Sequence, residues 1–253
     1  MCFEPDSLPP VPVIEGGAVE HRDLTLEAAD GNRFAAFAAV PDEPSGNGVV
    51  VLPDVRGLYR FYEELVLRFA ERGIAAVAFD YFGRTAGASK RSEDFEYPEH
   101  VSQTTPEGIQ ADVGAAVEYL RSPEGGAALA VFTVGFCMGG RQSWLAAASG
   151  HGLAGAAGFY GMPAARNGVP GPADVAAEID APILALQAGA DQNITAEHNA
   201  AFEAALTAAD VDHELVVYEG APHSFFDRKQ ENFASESEDA WRRVLEFVER
   251  YGA

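Results

Sequence analysis

Lysine and cysteine are scarce in this chain, and long apolar runs are missing. Of its 253 residues, 17 are Lys or Arg and 39 are Asp or Glu, which gives a formal net charge of −22. Lys90 and Lys229 are the only lysines. Nucleic acids and anionic membranes attract basic proteins, so neither is expected as a partner of so acidic a chain. Because no apolar run approaches the roughly 18 residues of a membrane-spanning helix, no membrane segment is expected.

The small number of cysteines limits how many disulfide bonds the chain can form. Cys2 and Cys137 could form at most one disulfide, which excludes a disulfide framework. The N-terminal stretch MCFEPDSLPPVPV has neither a basic start nor a long apolar segment, unlike a secretory signal peptide. We therefore expect a reducing, cytoplasmic location.

Motifs for metal and nucleotide binding are also missing from the sequence. No group of His and Cys residues has the spacing of metal ligands. No G-x-G-x-x-G follows a first strand, and there is no phosphate-binding P-loop. We therefore expect no metal and no cofactor.

Short strand-like segments alternate with longer helix-like segments through most of the chain. Asp30-Gly31-Asn32 separates the first two strand-like segments and predicts a hairpin turn. The alternation that follows indicates a mainly parallel sheet of eight strands with helices on both faces. We predict one α/β domain over residues 1–253, with an extended, Pro-rich segment at 1–18. The predicted strands span 21–28, 33–40, 48–52, 75–79, 128–134, 154–160, 182–187 and 214–218, and the predicted helices span 59–72, 106–121, 141–148, 196–208 and 232–250.

Residues 81–105 are the longest stretch without a clear hydrophobic period. The segment is polar and contains Gly, Ser and Pro. Loops of this length inside a domain are usually functional or disordered. We predict a cap-like loop over a site.

The hexapeptide from Gly135 to Gly140, Gly-Phe-Cys-Met-Gly-Gly, is the most informative motif. It reads G-x-C-x-G between a strand-like segment and a helix-like segment. This is the context of a nucleophile elbow, a sharp turn that presents a reactive side chain beyond the end of a strand. Cys137 is at the tip and is the predicted nucleophile. The alternative is a buried cysteine in a tight turn, since buried cysteines are common.

A thiol nucleophile needs a base, and the base needs an acid to orient it. In α/β-hydrolases the three follow in the order nucleophile, acid, histidine, each after a strand. Asp191 and His223 each follow a predicted strand, in that order after Cys137. Asp191 could instead cap the helix that follows it, and His223 could be a histidine of a surface loop.

An oxyanion hole needs two backbone N–H groups. One is expected from Met138, which follows the nucleophile, and the other from the loop after the third strand, at Val55. Each such donor is worth about 10²–10³ in rate.

With these residues in place, the chain resembles the dienelactone hydrolases, or carboxymethylenebutenolidases. The resemblance covers roughly residues 20–250 and is carried by GFCMGG, by Gly-Ala-Asp ending at Asp191, and by Ala-Pro-His-Ser-Phe around His223. The segments PDVRGL, starting at Pro53, and DYFGR, starting at Asp80, are also similar to the family. The resemblance implies an α/β-hydrolase fold without a large cap domain. It also implies hydrolysis of an enol-lactone through a cysteinyl ester.

The resemblance further implies two kinds of supporting residue. An acidic residue after the third strand contacts the resting thiol in the family, and Asp54 has that position here, one methylene shorter than the usual Glu. Arginines bind the substrate carboxylate, and Arg84 has the position of one of them. The position of the other, four residues after the histidine, is Asp227, with Arg228 one residue later.

Alternatives to these arginine roles come from the residues themselves. Arg84 could hold the cap-like loop through a structural ion pair. Arg56 and Arg141 could bind the substrate instead, although for Arg141 an ion pair with a surface carboxylate is expected.

Three functions therefore compete. The leading one is a cysteine-dependent hydrolase of enol-lactones or small carboxylic esters. The second is a broad carboxylesterase without dienelactone specificity. The third is a non-catalytic redox or binding protein on the hydrolase scaffold, against which the ordered acid and histidine argue, because binding alone needs neither. The oligomeric state is left open.

Overall fold

The computed structural model describes residues 7–14, 19–92, 94–226 and 232–253. Within these residues eight strands form one sheet. The strands are β1 (Val19–Glu27), β2 (Arg33–Pro41), β3 (Asn47–Leu52), β4 (Ala75–Phe79), β5 (Ala130–Phe136), β6 (Gly155–Phe159), β7 (Ile183–Ala188) and β8 (His213–Tyr218). The α-helices in the same part of the chain are α1 (Arg60–Ala70), α2 (Gly83–Ala86), α3 (Tyr97–Val101), α4 (Pro106–Arg121), α5 (Met138–Ala146), α6 (Ala196–Ala208) and α7 (Ala234–Tyr251).

The sheet is mainly parallel, as predicted. Its strand order is β1-β2-β4-β3-β5-β6-β7-β8. Strands β3 to β8 pair in parallel, whereas β2 pairs antiparallel with both β1 and β4. The predicted hairpin is therefore present, with its turn at residues 28–32.

Helices cover both faces of the sheet because its central strands are apolar on both sides. Val49 and Val51 of β3 face one core cluster, which includes residues of α1 and α7. Val50 and Leu52 face the other cluster, with residues of α4, α5 and α6. All four side chains are fully buried. Full burial of such a side chain stabilises the fold by about 1.5–3 kcal/mol.

Two helices have the predicted bounds because their first turns carry clear signals. Thr105 accepts a hydrogen bond from the N–H of Gly108 at 3.1 Å, and α4 begins at the next residue with Pro106. Thr195 and His198 form a capping box at the start of α6. Both arrangements satisfy N–H groups that a helix cannot bond internally.

The segment 81–105 differs from the predicted cap-like loop in having structure of its own. It contains α2 and α3. The rings of Phe82, Phe95 and His100 pack together, with Phe95 and His100 stacked at 4.8 Å. These three ring contacts stabilise the segment. The three residues are irregularly spaced in the sequence, so they produce no hydrophobic periodicity. None of the helices described is long and apolar enough to cross a bilayer.

Candidate functional site

The carboxyl ends of the parallel strands lie at one edge of the sheet, where α/β proteins place their sites. Cys137 directly follows β5. Asp191 lies shortly after β7, and His223 lies shortly after β8. The sheet therefore brings residues that are far apart in sequence to the same edge.

Cys137 adopts the strained conformation expected of an elbow. Its φ is 55° and its ψ is −111°, a backbone state that costs a non-glycine residue on the order of 1–3 kcal/mol. Its N–H donates to the carbonyl of Phe159 at 3.0 Å, which ties the turn to the end of β6. The thiol is partly buried and lies at the N-cap of α5, where the helix dipole favours negative charge.

The glycines that flank the elbow are required by close contact. A Cβ on Gly135 would lie 1.9 Å from the carbonyl oxygen of Gly139. A Cβ on Gly139 would lie 2.1 Å from the carbonyl oxygen of Leu52, the last residue of β3. The first helical turn is therefore pressed against the end of the central strand. For the same reason α5 begins at Met138 rather than at Arg141 as predicted, since the Gly-Gly pair is part of the helix.

His223 and Asp191 form a short contact. The Nδ1 of His223 lies 2.5 Å from Oδ2 of Asp191. The Asp191 side chain is fully buried, and that of His223 is 31% exposed. The other carboxylate oxygen of Asp191 accepts the N–H groups of Asn193 and Ile194 at 2.8 and 3.2 Å.

Asp191 is held in its ionised form. Burial, the largest single effect, opposes ionisation, but the hydrogen bonds from His223 and from two backbone N–H groups outweigh it and lower the pKa of Asp191. The alternative interpretation of Asp191 as a helix cap is wrong, because Thr195 is the N-cap of α6. A buried, ionised carboxylate against Nδ1 leaves Nε2 as the nitrogen that can exchange a proton with a reactant.

Tyr160 was not identified from the sequence, although it contacts the histidine. It follows β6 directly and is fully buried, with φ at 37°. Its ring lies 5.0 Å from the imidazole of His223, at an interplanar angle of 57°. Ser224, next to the histidine, also has a positive φ, of 66°. The backbone is therefore strained at Cys137, Tyr160 and Ser224. In the sequence, the one feature that could have drawn attention to Tyr160 is its position between the last residue of a strand and a glycine.

The predicted oxyanion donors lie on well-anchored backbone. Met138 is the first residue of α5, so its N–H has no acceptor within the helix. The loop that carries Val55 is held by its neighbours: the N–H of Asp54 donates to the Tyr62 hydroxyl at 3.0 Å, and the Tyr81 hydroxyl donates to the carbonyl of Pro53 at 2.6 Å. That Val55 and Met138 bind an oxyanion stays a prediction.

Asp54 is fully buried in this loop. One of its carboxylate oxygens accepts the N–H of Arg56 at 2.8 Å. Burial, followed by the charge of Asp54, raises the pKa of the Tyr81 phenol well above its usual value. Contact between the Asp54 carboxylate and the thiol stays a prediction.

Arg84 binds two carboxylates of the protein. Its Nη2 lies 2.7 Å from Oδ2 of Asp30, at the hairpin turn, and its Nη1 lies 2.6 Å from Oδ2 of Asp112 in α4. The Asp112 side chain is fully buried and also accepts a hydrogen bond from Asn32 at 2.9 Å. This arrangement favours a structural ion pair for Arg84. That Arg84 binds a substrate anion stays a prediction.

The expectation that Arg141 pairs with a surface carboxylate is wrong. Arg141 is buried, and its guanidinium donates to four backbone carbonyls of one loop. The acceptors are Met162 at 2.9 Å, Ala164 at 2.5 Å, Val169 at 3.2 Å and Pro170 at 2.7 Å. Arg56 is also buried. Asp227 and Arg228 lie outside the described residues.

Comparison with known proteins gives one consistent family. Residues 34–252 match the profile of the dienelactone hydrolase family. A Yersinia pestis protein, provisionally named a carboxymethylenebutenolidase, is 30% identical over 92% of this chain and 89% of its own length. The carboxymethylenebutenolidase of Rhodococcus opacus is 29% identical over 99% of this chain and 97% of its own length.

The fold is also similar to a solved structure of this kind. The crystal structure of a Klebsiella pneumoniae protein, provisionally named a dienelactone hydrolase, superposes with a TM-score of 0.80 at 26% identity. The match covers 92% of this chain and all of the other.

Proposed function

Because this chain belongs to the dienelactone hydrolase family and is a carboxylic ester hydrolase, we propose that it cleaves enol-lactones or small carboxylic esters through a cysteinyl ester on Cys137. The proposal is carried by one observation. A strained elbow presents Cys137 at the edge of the sheet that also bears the short contact between Asp191 and His223. The acid and the histidine have no evident purpose in a protein that only binds a ligand.

In the first half of the reaction, Cys137 is acylated. The thiol proton passes to Nε2 of His223, and the sulfur forms a bond to the substrate carbonyl carbon. The N–H groups of Met138 and Val55 receive the oxyanion that develops. The bond to the leaving oxygen then breaks, and His223 returns its proton to that oxygen. In a lactone the leaving oxygen stays attached to the acyl chain, so that the ring opens.

In the second half, water releases the acid. A water molecule gives a proton to Nε2 of His223, and its oxygen attacks the carbonyl carbon of the cysteinyl ester. The carbon–sulfur bond breaks, and the sulfur regains a proton from His223. Asp191 stabilises the imidazolium formed in each half. Asp54 assists, in this proposal, by contacting the resting thiol. Because the thiol must stay reduced, we also propose a cytoplasmic location.

A broad carboxylesterase is the second candidate, and two contacts favour it. A dienelactone carries a carboxylate, which a guanidinium would bind through paired hydrogen bonds. Arg84 is already bound to Asp30 and Asp112, and Arg141 is bound to backbone carbonyls. Neutral esters need neither arginine.

A substrate panel tests both candidates. Wild type and Cys137→Ala are assayed on aryl esters and on cis and trans dienelactones, with Cys2→Ala as the control that removes the other thiol. We expect hydrolysis by wild type and Cys2→Ala, and none by Cys137→Ala. Mass spectrometry of rapidly quenched wild type should detect an acyl group on Cys137.

Each result of the panel has a defined meaning. Turnover of dienelactones identifies the first candidate, and turnover of aryl esters alone identifies the second. If Cys137→Ala hydrolyses the substrates at wild-type rates, Cys137 is not the nucleophile. No hydrolysis of any substrate by wild type would favour the redox or binding protein.

A further inference from the structure

A buried carboxylate that the proposed mechanism does not use lies at the end of β4. Asp80 follows this strand directly, and its side chain is 1% exposed. Its Oδ1 accepts the N–H of Leu58 at 3.2 Å, and its Oδ2 accepts the N–H of Phe82 at 3.0 Å. One side chain therefore connects the loop after β3, residues 53–58, with the segment after β4.

The loop 53–58 rests on this carboxylate. The N–H of Gly57 donates to the carbonyl of Asp54 at 3.1 Å, closing a turn that has Val55 and Arg56 at its centre. Gly57 has a φ of 83°, and a Cβ there would lie 2.3 Å from Oδ1 of Asp80. The turn that carries the Val55 N–H thus has its last residue packed on Asp80, with no space between them.

Arg91 binds the same carboxylate from the other side. Its Nε and Nη2 donate to Oδ2 of Asp80 at 3.1 and 2.9 Å. The guanidinium also donates to the carbonyls of Ala86 and Gly87 at 3.0 and 2.6 Å, and it lies 4.9 Å from the ring centre of Phe95. Its side chain is 4% exposed. Arg91 therefore joins the segment 81–105 to Asp80, and through Asp80 to the loop 53–58.

Burial makes this pair sensitive to change. Removing one partner of a buried ion pair leaves the other charge without compensation, which is much more costly than losing a surface pair. A carboxylate that has lost Arg91 must move toward water or take up a proton. Movement withdraws the acceptor that holds Leu58 and supports Gly57, and protonation weakens that acceptor. The Val55 N–H, two residues before Gly57, then loses its fixed direction.

We propose that Asp80 and Arg91 are positioning residues that fix the Val55 N–H for the developing oxyanion. The inference rests on the proposed function, in which that N–H stabilises the transition state. An oxyanion donor acts after the substrate has bound, so its loss lowers kcat and leaves KM nearly unchanged. The nucleophile is held separately, by the elbow and by Phe159.

The test compares Arg91→Met with Lys90→Met. Lys90 is the neighbouring cation, and its ion pairs with Asp23 and Glu63 lie at the surface. For Arg91→Met we expect kcat on an aryl ester to fall about 10- to 100-fold, since the donor is displaced rather than deleted. We expect KM and the rate of Cys137 alkylation by iodoacetamide to change less than about twofold, because alkylation needs no oxyanion donor. Lys90→Met should match wild type in all three.

Two more variants keep the inference testable if Arg91→Met does not fold. Asp80→Asn keeps the shape but removes the charge, and it should lower kcat without affecting alkylation. Arg91→Lys keeps the charge but loses the paired hydrogen bonds, and its kcat should lie between those of Arg91→Met and wild type.

The outcomes that overturn the inference are distinct from failure of the function. Equal kcat in wild type and Arg91→Met would overturn it, and so would a parallel loss of kcat and alkylation rate, which indicates general disorder of the site. If wild type hydrolyses no ester, the proposed function fails instead. If wild type is active and the variants are unaffected, only the positioning role fails.

Discussion

The Nδ1 atom of His223 lies 2.5 Å from Oδ2 of Asp191 and joins the loops that follow the last two strands of the sheet. The contact is anchored from both sides. Two backbone N–H groups fix the carboxylate, and the ring of Tyr160 packs on the imidazole. The contact places the proton of the neutral imidazole on Nδ1, so that Nε2 is the nitrogen that would act as the base in the proposed mechanism.

Asp191→Asn should lower kcat on an aryl ester by about 10³–10⁴-fold, because an amide can favour the wrong tautomer and cannot stabilise an imidazolium. Steady-state kinetics checks this. Asp210→Asn is the matched control, since Asp210 is an exposed residue after α6. If Asp191→Asn retains kcat within a few-fold of wild type, the carboxylate of the triad comes from elsewhere.

Arg84→Ala should destabilise the protein and lower kcat/KM equally on a carboxylated lactone and on a neutral ester. The physical reason is the buried Asp112, which would lose its cation. The cost should lie below the roughly 3–5 kcal/mol of a fully buried pair, because the Arg84 side chain is 30% exposed. Urea unfolding measures the loss, with Arg22→Ala as a control for a more exposed arginine. A loss confined to the carboxylated substrate would show that Arg84 binds the anion.

Arg141→Ala should also be destabilising, by about 2–4 kcal/mol, because four backbone carbonyls would lose their donor. Arg141→Lys should recover only part of this, since an ammonium lacks the planar fork of a guanidinium. Arg166→Ala is the matched control, because Arg166 belongs to the same loop and is exposed. Equal unfolding midpoints for all three variants would contradict the anchoring role.

Because of Asp239, the free energy of unfolding should depend on pH in the acid range. Burial favours its neutral form, but hydrogen bonds from Arg243, Arg242 and Tyr218 outweigh this and lower its pKa from 3.8 to about 2. Because the folded pKa is the lower one, the contribution to stability is complete above about pH 4 and is lost as the pH falls toward about 2. We expect Asp239→Asn to cost about 1 kcal/mol at neutral pH, given the partial exposure of the pair.

Urea unfolding of wild type and Asp239→Asn at neutral pH and at about pH 2 checks this dependence. The difference between the two proteins should shrink at the acid pH. A difference that is the same at both values would mean that the charge of Asp239 does not contribute.

The sequence is informative where the signal is local. Thr105 and Pro106 start α4 where predicted, because capping and fixed φ act within one turn. The elbow around Cys137 is also recognised from a local motif, although Gly139 is required by contact with Leu52 at the end of β3, which is distant in sequence. Asp191 and His223 were predicted from a rule of topology, in which the acid and then the histidine follow the nucleophile along the chain, each after a strand.

The arginines could not be assigned in the same way. The partners of Arg84 come from the hairpin turn and from α4, and the acceptors of Arg141 come from the loop after β6. Such pairings depend on how distant elements pack. Tyr160 was missed for a related reason, because its φ and its contact with His223 are set by tertiary structure.

The strand order also determines when the central strand β3 can gain both of its neighbours during synthesis. Strand β3 lies between β4 and β5, which both leave the ribosome after it. The middle of the sheet therefore stays open until β5 has been made, and the residue that follows β5 is Cys137. The thiol thus enters its place as the central sheet closes, while Asp191 and His223 are still to be translated. A nascent chain at that stage holds the thiol of Cys137 but neither Asp191 nor His223.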